Sequence, residues 1–226
     1  MNARTAFLDR VRTAVAQGNK AGHAPALPER GMVGYQGAGP DPVQRFCQEL
    51  RNAGGFPHLA ENDDQACRII RDIVGTKEVR KIVTGVGGMV ESLGLAQKFC
   101  REGLAVTTID DIRGPNGRED LFAADIGISN VTYLVAETGS VIVASAADEP
   151  RFLSLLPPVH IAVASRRQIL PDLFDLFDAF SPVAAEDEGP PSCLTVITGP
   201  SKTGDIELKL VTGVHGPGEV HVVVCG

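Results

Sequence analysis

The sequence predicts an α/β fold, one domain on a mixed, mostly parallel sheet, preceded by a helical arm. Three observations carry this. From Phe56 to Ile109 the apolar residues switch repeatedly between strand and helix spacing, the order of parallel βαβ units. From ADIGIS, beginning at Ala124, apolar strands follow one another with only turns between, so the sheet is expected to be mixed. Gly18 to Pro40 is rich in Gly and Pro without a period and sets a first helix apart as a tethered arm, giving boundaries of 1–40 and 41–226.

In chain order, Phe7, Leu8, Val11 and Val15 give the arm one apolar helical face. Asp41 followed by Pro42 predicts a helix start, an N-cap with proline at the first helical position, and Val43, Phe46, Cys47 and Leu50 repeat at helical spacing up to Gly54 and Gly55. FPHLA reads as a strand, and Ala66, Ile69, Ile70, Ile73 and Val74 as a helix closed by Gly75. RKIVTGV is a buried strand, Leu93, Ala96, Phe99 and Cys100 a helical face, and LAVTTI a further strand. DDIRGPNGRED, from Asp110, reads as a polar turn. VTYLVAE, SVIVAS and HIAVAS read as strands, Pro171 opens a helix through Phe180, SPVAAEDEGPPS is an acidic surface loop, and LTVIT, ELKLVTG and EVHVVV close the chain as strands.

Bulk properties exclude several functions. A net charge of −7 leaves no electrostatic footprint for nucleic acid or an anionic membrane. No apolar run approaches the roughly 18 residues a membrane-spanning helix needs, and MNARTAFLDRVRTAV lacks the apolar stretch of a signal peptide, so a cytoplasmic protein is expected. Cys47, Cys67, Cys100, Cys193 and Cys225 are scattered, which argues against disulfides, zinc or iron–sulfur clusters and for reduced, mostly buried thiols.

Three stretches hold residues suited to chemistry. In TGVGGMVES a buried strand runs through Gly85, Gly87 and Gly88 into a helix, a turn that either aims backbone N–H groups at an anion or serves only as a tight connection. In NVTYLVAETGSVIVAS, Glu137, Thr138 and Ser140 lie at a glycine turn between strands; a partly dry site there would raise the Glu137 pKa and suit it to acid–base or nucleophilic work, whereas a solvated hairpin glutamate would do neither. In ITGPSKTGDIELKLVTGVHGP, Ser201, Thr203, Asp205 and Glu207 alternate, so an extended chain puts them on one polar face, while a helical turn makes Ser201 or Thr203 an N-cap. His215 sits between glycines, where an imidazole can act as acid or base; a triad or a metal site with Asp205 lacks diagnostic spacing. His160 is expected to be a core histidine satisfied by backbone, and His221 to face solvent from the last strand.

Taken together, AETGSVIVAS, LSLLPPVHIAVAS and ITGPSKTGDIELKLVTGVHGPGEVHVVV resemble the LUD domain, that is, the lactate utilization protein C (LutC/YkgG) family, over nearly the whole chain. The resemblance implies a three-layer α/β/α sandwich like that of the NagB/RpiA/CoA-transferase-like superfamily. It also implies a bacterial cytoplasmic role in oxidising L-lactate to pyruvate beside two iron–sulfur partner proteins. On that reading the clusters belong to the partners, no cofactor is expected here, and the chain is a non-redox accessory subunit. Its ligand, a small anion, would lie between the TGVGG turn and the GPSKTGDIE segment. The AETG turn looks similar to the Glu-x-Gly turn whose glutamate forms the acyl intermediate in CoA transferases, a fold-level analogy for Glu137. Two other functions compete: a stand-alone enzyme of the same fold acting on a sugar phosphate, folate or CoA ester, and an interaction module docking through its arm.

Overall fold

A computed structural model describes residues 3–18, 29, 37–112, 117–180, 191–206 and 209–226. The chain divides into two compact units, Met1–Tyr35 and Gln36–Gly226. The first contains helix α1, Ala3–Gly18.

The second unit opens with α2, Pro42–Asn52, where Asp41 caps the helix by accepting from Val43 N and Gln44 N as its sequence predicts. Strand β1, Phe56–Ala60, leads to α3, Asp63–Gly75, capped by Asn62 with Asp63 and Asp64 in the first turn, favourable at the positive end of the helix dipole. Then come β2, Lys81–Thr84, the short helices α4, Gly88–Ser92, and α5, Leu95–Arg101, and β3, Ala105–Thr108. The expected polar turn is instead two short helices, α6, Ile109–Ile112, and α7, Gly117–Phe122. Buried Ile109 and Leu121 pack on Val83 and Leu153, so tertiary burial overrides the turn-forming composition.

Next are β4, Ile126–Asn130, β5, Tyr133–Val135, β6, Ser140–Ala144, a 3-10 turn at Arg151–Ser154, and β7, Val159–Ser165. Strand β8, Ile169–Leu170, precedes α8, Leu173–Phe180. The acidic tract from Ser181 lies outside the described residues as far as Pro190. Finally β9, Leu194–Ile197, the antiparallel pair β10, Lys202–Ile206, and β11, Lys209–Thr212, and β12, Glu219–Cys225, complete the unit. The 197–217 stretch is therefore extended rather than helical where it is described.

The main sheet has six strands in the order β1-β12-β7-β4-β2-β3, every pair parallel. A second sheet, β8-β5-β6-β9, holds antiparallel pairs. The mixed pairing expected from close-set strands is thus divided between two sheets, because the short β5–β6 turn permits only antiparallel neighbours while each helical crossover returns the chain parallel.

Layering follows from strand alternation. Ile82, Ile126, Ile128, Ile161, Val163 and Val223 face one side of the main sheet and pack against Ala66, Ile70 and Val74 of α3, Val90 of α4 and Leu95 and Phe99 of α5. The other side, Ala162, Ala164, Val220, Val222 and Val224, packs on Phe46, Cys47 and Leu50 of α2 and on Leu134, Val141 and Val143 of the second sheet. The second sheet's far face, Val135 and Ile142, is covered by Leu176 of α8. Cys47, Cys67 and Cys225 are buried and Cys100 is exposed, with Cys193 between. Among the described residues, no helix is long and apolar enough to cross a membrane, and no group of three His, Cys, Asp or Glu side chains is placed to hold a metal ion.

A candidate ligand site at the sheet's switch point

At the carboxyl edge of the main sheet, β2 and its neighbour β4 send their chains to opposite faces. After Thr84 the chain passes through Gly85 to Gly87 into α4, on the α3 and α5 side. After Asn130 it leaves through Val131 to the α2 and second-sheet side. In open α/β sheets a crevice at such a reversal is the customary ligand position.

Asn130 holds this crevice together. Its Oδ1 accepts from Val90 N at 3.0 Å, and its Nδ2 donates to Val86 O at 3.3 Å, Gly87 O at 3.2 Å and Glu149 Oε2 at 3.0 Å. Its backbone N also donates to Glu149 Oε2, at 3.0 Å. Glu149 comes from the loop after β6, is only 9% exposed, and has no partner for Oε1. Burial pushes its carboxyl up to about 7, helped by the Asp148 charge and opposed by the two donors of Asn130.

Two glycines of the turn are required by these side chains. A Cβ at Gly85 would stand 2.7 Å from Glu149 Oε2, and one at Gly88 would stand 2.6 Å from Asn130 Oδ1. Gly88 also has φ +52, and Gly87 φ +74. The N–H groups of Gly85, Val86 and Val90 donate to Ile128 O, Asp148 O and Asn130 Oδ1, so they are spent inside the protein rather than aimed at an anion. Beside the turn opens a cleft of about 350 Å³ lined by Gly88, Asn130, Thr132, Asp148, Glu149 and Gln168 among others.

The remaining predicted residues that are described lie at the opposite edge. Asn130 pairs in register with Val163 of β7, whereas Glu219, where β12 begins, pairs with Val159. Those four positions amount to about 13 Å along the strand. Below Glu219, Ser201 N donates to Pro217 O at 2.8 Å and Gly213 N to Ser201 O at 3.0 Å, which fixes Ser201 near Gly216 and the exposed His215. Thr203 pairs with Val211 in the β10–β11 hairpin. Asp205 is placed in β10 by its backbone alone, and Glu207 lies outside the described residues.

Half-buried Glu137 and Thr138 also belong to this lower edge. Their turn abuts Glu49 and Leu50 near the end of α2, and Ser140 Oγ bonds Thr138 Oγ1 and Thr198 Oγ1, each at 2.7 Å. The AETG turn and the GPSK turn therefore meet. The TGVGG turn does not join them: along the strands it stands about 13 Å from the edge where the described part of GPSKTGDIE lies. Glu149 and Asn130 were not singled out in the sequence, since nothing local distinguishes an Asp-Glu-Pro loop from solvated surface.

Two histidines also differ from expectation. His160 is buried as predicted, but its Nε2 pairs with Ser129 Oγ at 2.8 Å rather than with backbone. His221 is 8% exposed, not solvent-facing, because Phe56 stacks on it at 4.8 Å between centroids and His58 Nε2 lies 3.1 Å from its Nδ1.

These features define an α/β protein with a polar cleft at the switch point of a parallel sheet, centred on one buried carboxyl. The chain belongs to the LUD domain family, whose model matches residues 43–225. It is 33% identical over 154 residues to lactate utilization protein C of Halalkalibacterium halodurans, covering 68% of this chain and 66% of that protein. Over 128 residues it is 37% identical to YkgG of Escherichia coli, covering 57% of this chain and 55% of that one. Lactate utilization protein C of Anoxybacillus flavithermus is 33% identical over 184 residues, 81% of this chain and 79% of the relative. The chain thus spans about half to two thirds of the length of the first two. In fold it matches the crystal structure of a DUF162 family protein from Deinococcus radiodurans, with a TM-score of 0.59, 22% identity, and coverage of 82% of this chain and 96% of that one.

Proposed function

We propose that this chain is a cytoplasmic, non-redox component of an L-lactate utilization system, acting beside iron–sulfur partner proteins that oxidise L-lactate to pyruvate, and that it binds a small ligand in the Glu149 cleft. The observation that carries the reading is the LUD match over residues 43–225 together with relatives named lactate utilization protein C. Dispersed cysteines support giving the redox centres to partners, since cluster ligation needs grouped thiolates. The test is deletion of the gene followed by complementation, with purification of the tagged chain. Loss of L-lactate oxidation, restored by the chain, and recovery of iron–sulfur proteins with it support the proposal. Undiminished oxidation in the deletion strain, with no second copy of the gene, defeats it.

One observation favours a second reading, an enzyme working alone. A carboxyl held near neutrality in a cleft is matched to acid–base catalysis at cellular pH. Turnover of a substrate by the purified chain without partners distinguishes this reading from the first.

A further inference from the structure

We propose that the Glu149 cleft takes its ligand through a hydroxyl or amino group that donates to Glu149 Oε1, and that it selects against a carboxylate or phosphate group at that position. The inference rests on the reading above only for the location of the site.

The side-chain amides and two of the N–H groups around the cleft are already committed. Asn130 Nδ2 serves Val86 O, Gly87 O and Glu149 Oε2, and Gln168 Nε2 serves Val131 O and Thr132 O. The N–H groups of Val86 and Val90 are bonded within the protein. Glu149, which lines the cleft, brings an acceptor: its carboxyl is 9% exposed, one oxygen is fixed by two N–H groups, and Oε1, enclosed until a ligand displaces its cover, has no partner. A buried acceptor left unpaired is costly, so a ligand that brings a donor to it gains what water-exposed acceptors do not.

Charge points the same way. Among the described residues lining the cleft there are two carboxylates, Asp148 and Glu149, and no Lys, Arg or His. Arg151, the basic residue nearest Glu149 in the chain, lines a separate cleft of about 570 Å³ with Cys193 and Ser145. An anionic group beside Oε1 would meet like charge in a poorly solvated place, whereas an ammonium or hydroxyl meets complementary charge. The small anionic ligand expected from the family resemblance is therefore replaced, in this cleft, by a neutral or cationic one.

Three probes share a three-carbon 2-hydroxy skeleton and differ at one end: L-lactate is anionic, propane-1,2-diol neutral and 1-amino-2-propanol cationic. Binding to the full chain at pH 8 is followed through the amide NMR signals of Gly88 and Asn130. The expected order of affinity is amine, then diol, then lactate. Glu149→Gln, which keeps an oxygen to accept from Asn130, is expected to weaken the amine by about tenfold or more. Lactate binding as tightly as the amine, amine affinity unchanged in the variant, or no movement of either amide with any probe overturns the proposal. The wild-type order stands as a test even if the variant folds poorly. Normal lactate oxidation in a deletion strain would reject the lactate-system reading while leaving this order of affinities intact.

Discussion

Glu149→Gln should stabilise the protein at alkaline pH and leave it unchanged in acid. The wild-type carboxyl sits at about 7 in the folded chain against a reference of 4.5. A raised folded pKa contributes stability that is complete below 4.5 and is lost as pH rises through about 7, because the folded state holds a proton the unfolded state releases. A gap of that size corresponds to about 3 kcal/mol. Glutamine never ionises, and its oxygen can still accept from Asn130 N and Nδ2, so the variant avoids the loss. Urea unfolding at intervals from pH 4.5 to 8.5 measures the difference between the two proteins, with every other titrating group cancelling. The expected difference is near zero at pH 4.5 and grows to about 3 kcal/mol in favour of glutamine by pH 8. A variant less stable than wild type by the same amount at every pH would show that Glu149 is not held protonated by burial, and the reasoning would fail.

Further outcomes follow from the same geometry. Gly85→Ala sets a Cβ 2.7 Å from Glu149 Oε2 and should cost about 1–3 kcal/mol in chemical denaturation. Asn130→Ala removes one of the two donors that lower the Glu149 pKa, so the carboxyl's NMR titration should move upward; a downward shift contradicts the account. His160, pushed down to about 4 by burial, should make stability fall as pH drops from 6.5 towards 4, and His160→Gln should flatten that slope in the same unfolding series. Hydrogen bonds from Thr195 and Arg151 lower the Cys193 thiol, while burial raises Cys47 and Cys225. Iodoacetamide followed by peptide mass spectrometry should therefore label Cys193 well before those two, and more slowly in Arg151→Ala.

What the sequence made legible was the local part of the fold. Asp41 and Pro42 announced α2, and the apolar stripe from Ala66 to Val74 announced α3, because caps and periodicity act over a few residues. Gly85 and Gly88 stood out as glycines, but their reason did not: it lies in Asn130 and Glu149, brought to them by the pairing of β2 with β4 and by a loop far along the chain. His221 alternates with valines as a solvent-facing residue would, yet Phe56 and His58 of the neighbouring strand cover it. Periodicity assigns a residue to a face; it does not say what lies on that face. That the TGVGG turn and the GPSKTGDIE segment stand at opposite edges of the sheet was hidden for a similar reason, since which edge a turn occupies depends on strand direction and register.

The most direct test of the account is L-lactate oxidation in a deletion strain complemented with wild type, Glu149→Gln or Glu137→Ala, at matched protein levels. The switch-point cleft predicts that Glu149→Gln fails to restore oxidation whereas Glu137→Ala restores it. Full restoration by Glu149→Gln together with failure of Glu137→Ala would move the functional site to the opposite edge of the sheet.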